Sequence, residues 1–354
     1  MDKVIAFPQM GNYYVPATFL FSHILNCKIL PPQKITKKTI EIGTKNSPDF
    51  VCTPFKYTLG TMIESLDKGA NIVMQFGGGC RYGYYSELQE QILTDLGYDF
   101  QYVNLISEGK MNVKEIYYRL KKINPKLSII KSLYYLLIAK NMVKYMDRVD
   151  DYIRHHIGFE VKLGSYEKLN NEMLREFSKV TNLIGLYKVY KKYFKLIKNV
   201  KFEKTTNNLK VGIIGELYTI MEPFANYYLE KELANYNIEI TRFTNVQYLL
   251  FEKKRKIKKY LKIAKEYIKY KMGADASDNI ARTLEMCKQG YDGIIHIKSS
   301  FCTPEIGAMP IINKICDQYS VPVMFFSFDS NTSEVGIKTR LEAFYDMIEM
   351  RKNR

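Results

Sequence analysis

The 354-residue sequence has no apolar run approaching the roughly 20 residues that a membrane-spanning helix needs. Its longest candidate, Leu133–Ala139, is far too short. The first residues, Met1-Asp2-Lys3-Val4-Ile5-Ala6-Phe7, lack a secretory layout and read directly as a first strand, so a cytoplasmic protein is expected. Cysteine is sparse as well. Six in a chain of this size do not make a disulfide scaffold. In a reducing compartment, cysteines in Gly- and Pro-rich turns read as ligands or catalysts. Cys287 and Cys316, in helical patterns, and Cys27, beside a short strand, read as packing residues. No nucleic-acid recognition motif is present, which weakens the reading that a net charge of +16 invites. The excess is lysine rather than arginine, and it accompanies abundant Ile, Asn and Tyr, a bias that genome composition alone can produce. The densest run, Lys253–Lys271, reads as a helix with lysines around much of its circumference. It is a solvated face, or a surface for an acidic partner, a phosphate-bearing ligand or RNA.

What is present is enough apolar residue, 46%, to bury a core, in a chain long enough for two or three domains. The first part alternates. Val4–Pro8, Lys28–Leu30, Asn71–Phe76 and Phe100–Leu105 are strand-like, and Tyr14–Leu25, Pro54–Leu66 and Ser86–Leu96 are helical. From about Met111 to Lys201 strand signals vanish, and Val113–Ile123, Leu127–Val149 and Tyr166–Lys198 read as helices. Lys210–Ile214 restarts the alternation. Helices are expected at Pro223–Tyr236, Lys253–Lys271, Ser277–Lys288, Pro304–Tyr319 and Ile337–Met350, and strands at Ile238–Phe243, Gly293–Ile297 and Val321–Phe328. The pattern predicts an α/β fold. An N-terminal domain (1–110) and a C-terminal domain (207–354) would each carry a parallel sheet, facing across a cleft, with a helical segment (111–206) between them.

Two short phrases repeat: Cys52-Thr53-Pro54 and Cys302-Thr303-Pro304. A third cysteine, Cys80, closes the run Gly77-Gly78-Gly79. Each is expected to follow a strand or extended segment and to precede a helix, where unpaired N–H groups and the dipole favour a thiolate. Pro suits the start of a helix because its missing N–H would have no intrahelical partner. Three such thiolates converging would make a soft-metal or iron–sulfur site, one ligand short of a closed tetrahedral one. The glycines lack the Lys-Ser/Thr of a phosphate loop, and Gly78 and Gly79 read instead as close backbone approach to a cluster. Ser300 is a candidate hydroxyl or hydrogen-bond partner there, or simply part of a turn. Glu216, Glu222, His296 and Glu305 are candidate proton carriers; a histidine ending a buried strand is more commonly a satisfied core residue.

The chain resembles the 2-hydroxyacyl-CoA dehydratase D-component family, which also takes in benzoyl-CoA reductase subunits, and within it a small activase-associated branch. The phrases that carry the resemblance are Cys52-Thr53-Pro54-Phe55-Lys56, Gly78-Gly79-Cys80-Arg81-Tyr82-Gly83, Gly215-Glu216 through Asn226, Cys302-Thr303-Pro304-Glu305, and Phe328-Asp329 through Phe344. The resemblance implies two Rossmann-like (flavodoxin-like) domains and a [4Fe-4S] cluster on Cys52, Cys80 and Cys302 with an open fourth position. It also implies electrons from an ATP-hydrolysing iron–sulfur activator protein, used for reductive or dehydratase-like chemistry on an acyl-CoA or other small molecule. Such proteins pair with a homologous subunit, and a homodimer is the alternative. A relative carries a double-cubane [8Fe-9S] cluster, which would need more thiolates; a non-catalytic electron-transfer module docking an acidic partner is the competing reading. A zinc-bearing, RNA-associated protein is the weakest alternative.

Overall fold

Among residues 2–77, 80–106, 112–204 and 207–353, which the computed structural model describes, eight strands form two separate four-stranded sheets. Every strand pairing within them is parallel. The chain divides into two compact units, Met1–Asn141 and Met142–Arg354.

In the first unit the order of elements is β1 (Val4–Ala6), α1 (Tyr14–Leu25), β2 (Lys28–Ile29), α2 (Lys37–Lys45), α3 (Thr53–Asp67), β3 (Ile72–Gln75), α4 (Tyr85–Asp95), β4 (Gln101–Asn104) and α5 (Val113–Ile123). The start of α6 (Ile129–His156) follows. The sheet order is β2-β1-β3-β4. Alternation along β3 sends Ile72 and Met74 into a core with Ile5, Phe21 and Val103, and Val73 into another with Phe55, Leu59 and Leu93. Both faces of the sheet are therefore covered, as an all-parallel sheet requires. Helix α2, absent from the sequence expectation, starts at a Thr36/Thr39 capping box. It lies close against α3 because a Cβ at Gly60 would come within 2.1 Å of the Thr39 carbonyl oxygen, and one at Gly43 within 1.8 Å of that of Lys56.

The second unit takes up the rest of α6, then α7 (Ser165–Phe177), α8 (Leu183–Lys198), β5 (Lys210–Gly215), α9 (Leu217–Met221), α10 (Leu229–Ala234), β6 (Glu239–Arg242) and α11 (Lys253–Ile263). It ends with α12 (Ala276–Lys288), β7 (Gly293–Ser299), α13 (Thr303–Gln318), β8 (Val323–Phe328) and α14 (Glu334–Lys352). Its sheet order, β6-β5-β7-β8, repeats that of the first unit. Every residue of β7 is buried. The fold is α/β with two Rossmann-like sheets, as the alternation predicts.

Three expected helices differ. Pro223–Tyr236 is a single turn followed by α10, broken at Tyr227 and Tyr228, whose φ angles are 56° and 55°. Buried Asn226 secures the break by donating to the Thr219 carbonyl at 2.7 Å and accepting from the Leu229 N–H at 3.1 Å. Tyr166–Lys198 is two helices, the second capped by the Asn182 side chain. The lysine run opens on a π-helical turn, Tyr248–Glu252, and its α-helix stops at Ile263. Lys253 turns inward, and Ala264 is fully buried in the core beyond.

Candidate functional site

In the first unit Cys52 is the half-buried residue that precedes α3 in extended conformation, and its carbonyl accepts from the Phe55 N–H at 3.0 Å. Pro54 follows within the first turn. Cys80 is exposed and opens a 3₁₀ turn, Arg81–Tyr84, that leads into α4; its carbonyl accepts from the Gly83 N–H. Gly77 has φ 59°, and a Cβ there would come within 2.5 Å of the Ile106 carbonyl oxygen, so the run needs glycine at its start. Gly78 and Gly79 lie outside the described residues. The scaffold under these two cysteines is a buried amide chain. Gln75, at the end of β3, donates to Gln89 on α4 at 2.7 Å, and Gln89 donates to the Thr58 hydroxyl on α3 at 2.8 Å. It joins the strand before Cys80, the helix after Cys80 and the helix after Cys52. Sequence reasoning passed over it, because two glutamines and a threonine at these separations form no motif.

In the second unit Cys302, half-buried, precedes α13; its N–H donates to the Ser299 carbonyl at 3.0 Å and its carbonyl accepts from Ile306 at 2.9 Å. The Ser300 hydroxyl donates to Asp329 at 3.0 Å. His296 and Glu305, both 0% exposed, are joined by a 2.8 Å hydrogen bond from Nε2 to Oε2. Asn279 on α12 donates to both Glu305 oxygens and to the Gly215 carbonyl, each at 3.0 Å. One buried polar group thus ties β5, β7, α12 and α13 together beneath the Cys302 turn. Among the described residues, His296 Nδ1 is buried without a hydrogen-bond partner. The end of β5 can come this close only as glycine: Gly215 has φ 141°, and a Cβ would lie 1.7 Å from the Ile297 carbonyl oxygen. Glu216 follows at once and caps α9, accepting from the N–H groups of Tyr218 at 2.8 Å and Thr219 at 3.1 Å. Burial outweighs these bonds and pushes its pKa up to about 7, with the Asp275 carboxylate acting in the same direction.

Asp275 belongs to a network that the sequence did not suggest. Lys253 binds its carboxylate and lies 3.4 Å from that of Asp278, which also accepts from the Tyr248 hydroxyl at 2.6 Å. Burial raises the Asp275 pKa against the pull of Lys253. Arg282, 2% exposed, sits against the rings of Phe243, Tyr248 and Tyr260 at 4.5–4.9 Å. Of these residues only Lys253 lies in the charge run Lys253–Lys271.

Topology separates the two similar phrases. Cys302 follows β7, the third strand of its unit in chain order; the residue in the corresponding place after β3 is Cys80. Cys52 instead lies between the second and third strands, after α2 rather than after a strand. The echo of Cys-Thr-Pro is a shared local device, cysteine before a Pro-started helix, at two different topological positions. Among the described residues no three His, Cys, Asp or Glu side chains are gathered into a metal site. Cys287 and Cys316 lie in the core of the second unit, and Cys27 packs against a core of the first, as their helix and strand settings predict.

Residues 171–348 match the family described as 2-hydroxyglutaryl-CoA dehydratase, D-component. No curated protein matches the chain.

Proposed function

Because the chain belongs to the 2-hydroxyglutaryl-CoA dehydratase D-component family, we propose that Cys52, Cys80 and Cys302 hold a [4Fe-4S] cluster and that the chain is a component of a dehydratase or reductase. The observation that carries the reading is the setting of the three thiols. Cys52 and Cys302 each precede a Pro-started helix, and Cys80 follows a parallel strand at the place that Cys302 occupies in the other unit. Soft sulfur donors at helix starts suit iron–sulfur ligation. The remaining thiols suit it less: Cys287 and Cys316 belong to an apolar core, which favours the single cubane over the double. When bound, such a cluster supplies low-potential one-electron chemistry and an iron with an open position. An ATP-hydrolysing iron–sulfur activator is the electron source in this reading, and an acyl-CoA or other small molecule the substrate.

The chain's own residues divide the remaining work. His296, Glu305 and Asn279 are buried and bonded to one another, so they position the Cys302 turn rather than touch substrate. Glu216, half-buried and with its pKa near 7, is the group able to hold or release a proton at neutral pH. Protein purified without oxygen is expected to be brown and to contain about four irons and four sulfides. Cys302→Ala, Cys52→Ala and Cys80→Ala each abolish the colour. Colourless, iron-free wild-type protein under those conditions refutes the reading.

One observation favours the competing role of electron carrier. Helix α11 buries none of its residues, and Lys254, Arg255, Lys258, Lys259 and Lys262 are exposed along it, a surface suited to an acidic partner.

A further inference from the structure

The first half of helix α6 is apolar on two opposite faces. Tyr135, Ile138 and Ala139 share the inner one: Ile138 and Ala139 are buried, and the Tyr135 ring lies against those of His23 and Phe19 on α1, with centroids 4.5 and 5.9 Å away. On the other face Ile130, Leu133, Tyr134 and Leu137 follow the i, i+3, i+4, i+7 spacing of a second stripe, with Ile129 and Leu136 beside them. All six are exposed, Ile130 by 82% and Leu133 by 60%. A surface helix keeps such a stripe for the core, and one left open on this scale marks an interaction surface. The charge around it has a single sign. Between Ile116 and Met146 the chain has no aspartate or glutamate, exposed Lys126 and Lys140 stand at the two ends of the stripe, and Lys131 flanks it. These lysines tell against a second copy as the occupant. Laid antiparallel, two stripes would bring Lys126 of each beside Lys140 of the other; laid parallel, each lysine would meet itself. A bilayer with negative headgroups satisfies both features, with acyl chains under the stripe and phosphates beside the lysines, whose stems reach up to them. Tyr134, at the edge of the stripe, has the apolar ring and polar tip that suit such a boundary. Among the described residues no helix is long and apolar enough to cross a membrane, so the helix would lie along the surface.

We propose that the outer face of α6, Ile129–Leu137, is a docking surface for an anionic lipid bilayer. The proposal goes beyond the functional reading above and does not depend on it. The chain has no tryptophan, so Leu133→Trp places a single fluorescent reporter in the stripe of the full-length protein. Vesicles of equal parts phosphatidylglycerol and phosphatidylcholine are expected to shift its emission to the blue as the ring leaves water, and vesicles of phosphatidylcholine alone to shift it less. Leu163→Trp, at a residue 84% exposed in the other unit, is expected not to shift. The stripe is then tested without changing any charge, so that the general attraction of a basic chain for anionic vesicles stays constant. Adding Ile130→Asn and Leu137→Asn to the Leu133→Trp protein is expected to weaken vesicle binding roughly tenfold or more. Both residues are exposed, so the fold does not depend on them. No blue shift with the anionic vesicles overturns the proposal, as does binding that the two asparagines leave unchanged. Emission that is already blue without vesicles and moves with protein concentration instead would assign the stripe to a second copy, and that result also overturns it.

Discussion

Replacing Glu305 by alanine removes the acceptor that holds β7, α12 and α13 together under the Cys302 turn. Among the described residues, His296 Nε2 then has no hydrogen-bond partner, and the Asn279 side-chain amide keeps its bond to the Gly215 carbonyl. Both donors are fully buried, so water does not replace the lost carboxylate. At about 2 kcal/mol for each orphaned donor, the variant is expected to lose about 4 kcal/mol. For a unit of this size that corresponds to a fall in Tm of roughly 8–16 °C. Glu305→Gln keeps one acceptor oxygen and is expected to lose less, about 1–2 kcal/mol. The double variant His296→Leu with Glu305→Leu is expected to recover part of the loss, because it leaves fewer unpaired buried groups than Glu305→Ala. Differential scanning calorimetry of the metal-free protein provides the assay. A loss below about 1 kcal/mol for Glu305→Ala would refute the reasoning.

Two further perturbations test other parts of the site. The Glu216 pKa is raised by burial from the ordinary 4.5 to about 7, so its protonated form favours the folded state. That contribution is present in full below about pH 4.5 and is lost as pH rises through about 7. The stability of wild type relative to Glu216→Gln, measured by urea unfolding, should therefore fall between pH 5 and pH 8; a constant difference would count against the assignment. Lys253→Met leaves the Asp275 and Asp278 carboxylates buried without their cation and is expected to cost about 3 kcal/mol. Lys258→Met, exposed on the same helix, should stay within about 0.5 kcal/mol in the same urea titration.

The sequence alone determined the alternation of strands and helices, the two parallel sheets and the identity of the cysteines, because these depend on local periodicity and on residues next to one another in the chain. Tyr14–Leu25 and Val113–Ile123 have the bounds that their periodicity predicts. Where a boundary depended on distant partners, local reading failed. The break at Tyr227 and Tyr228 is held by Asn226 reaching back to Thr219, and the inward turn of Lys253 answers to carboxylates more than twenty residues later in the chain. Similar wording also misled: Cys52 and Cys302 share a phrase, and only the order of strands showed that Cys80 is the counterpart of Cys302. His296 and Glu305 could each be named from the sequence, but their pairing, their shared partner Asn279 and their complete burial could not. Whether a charged side chain meets water, a counter-ion or neither is decided by what packs around it, and only the tertiary structure brings those groups together.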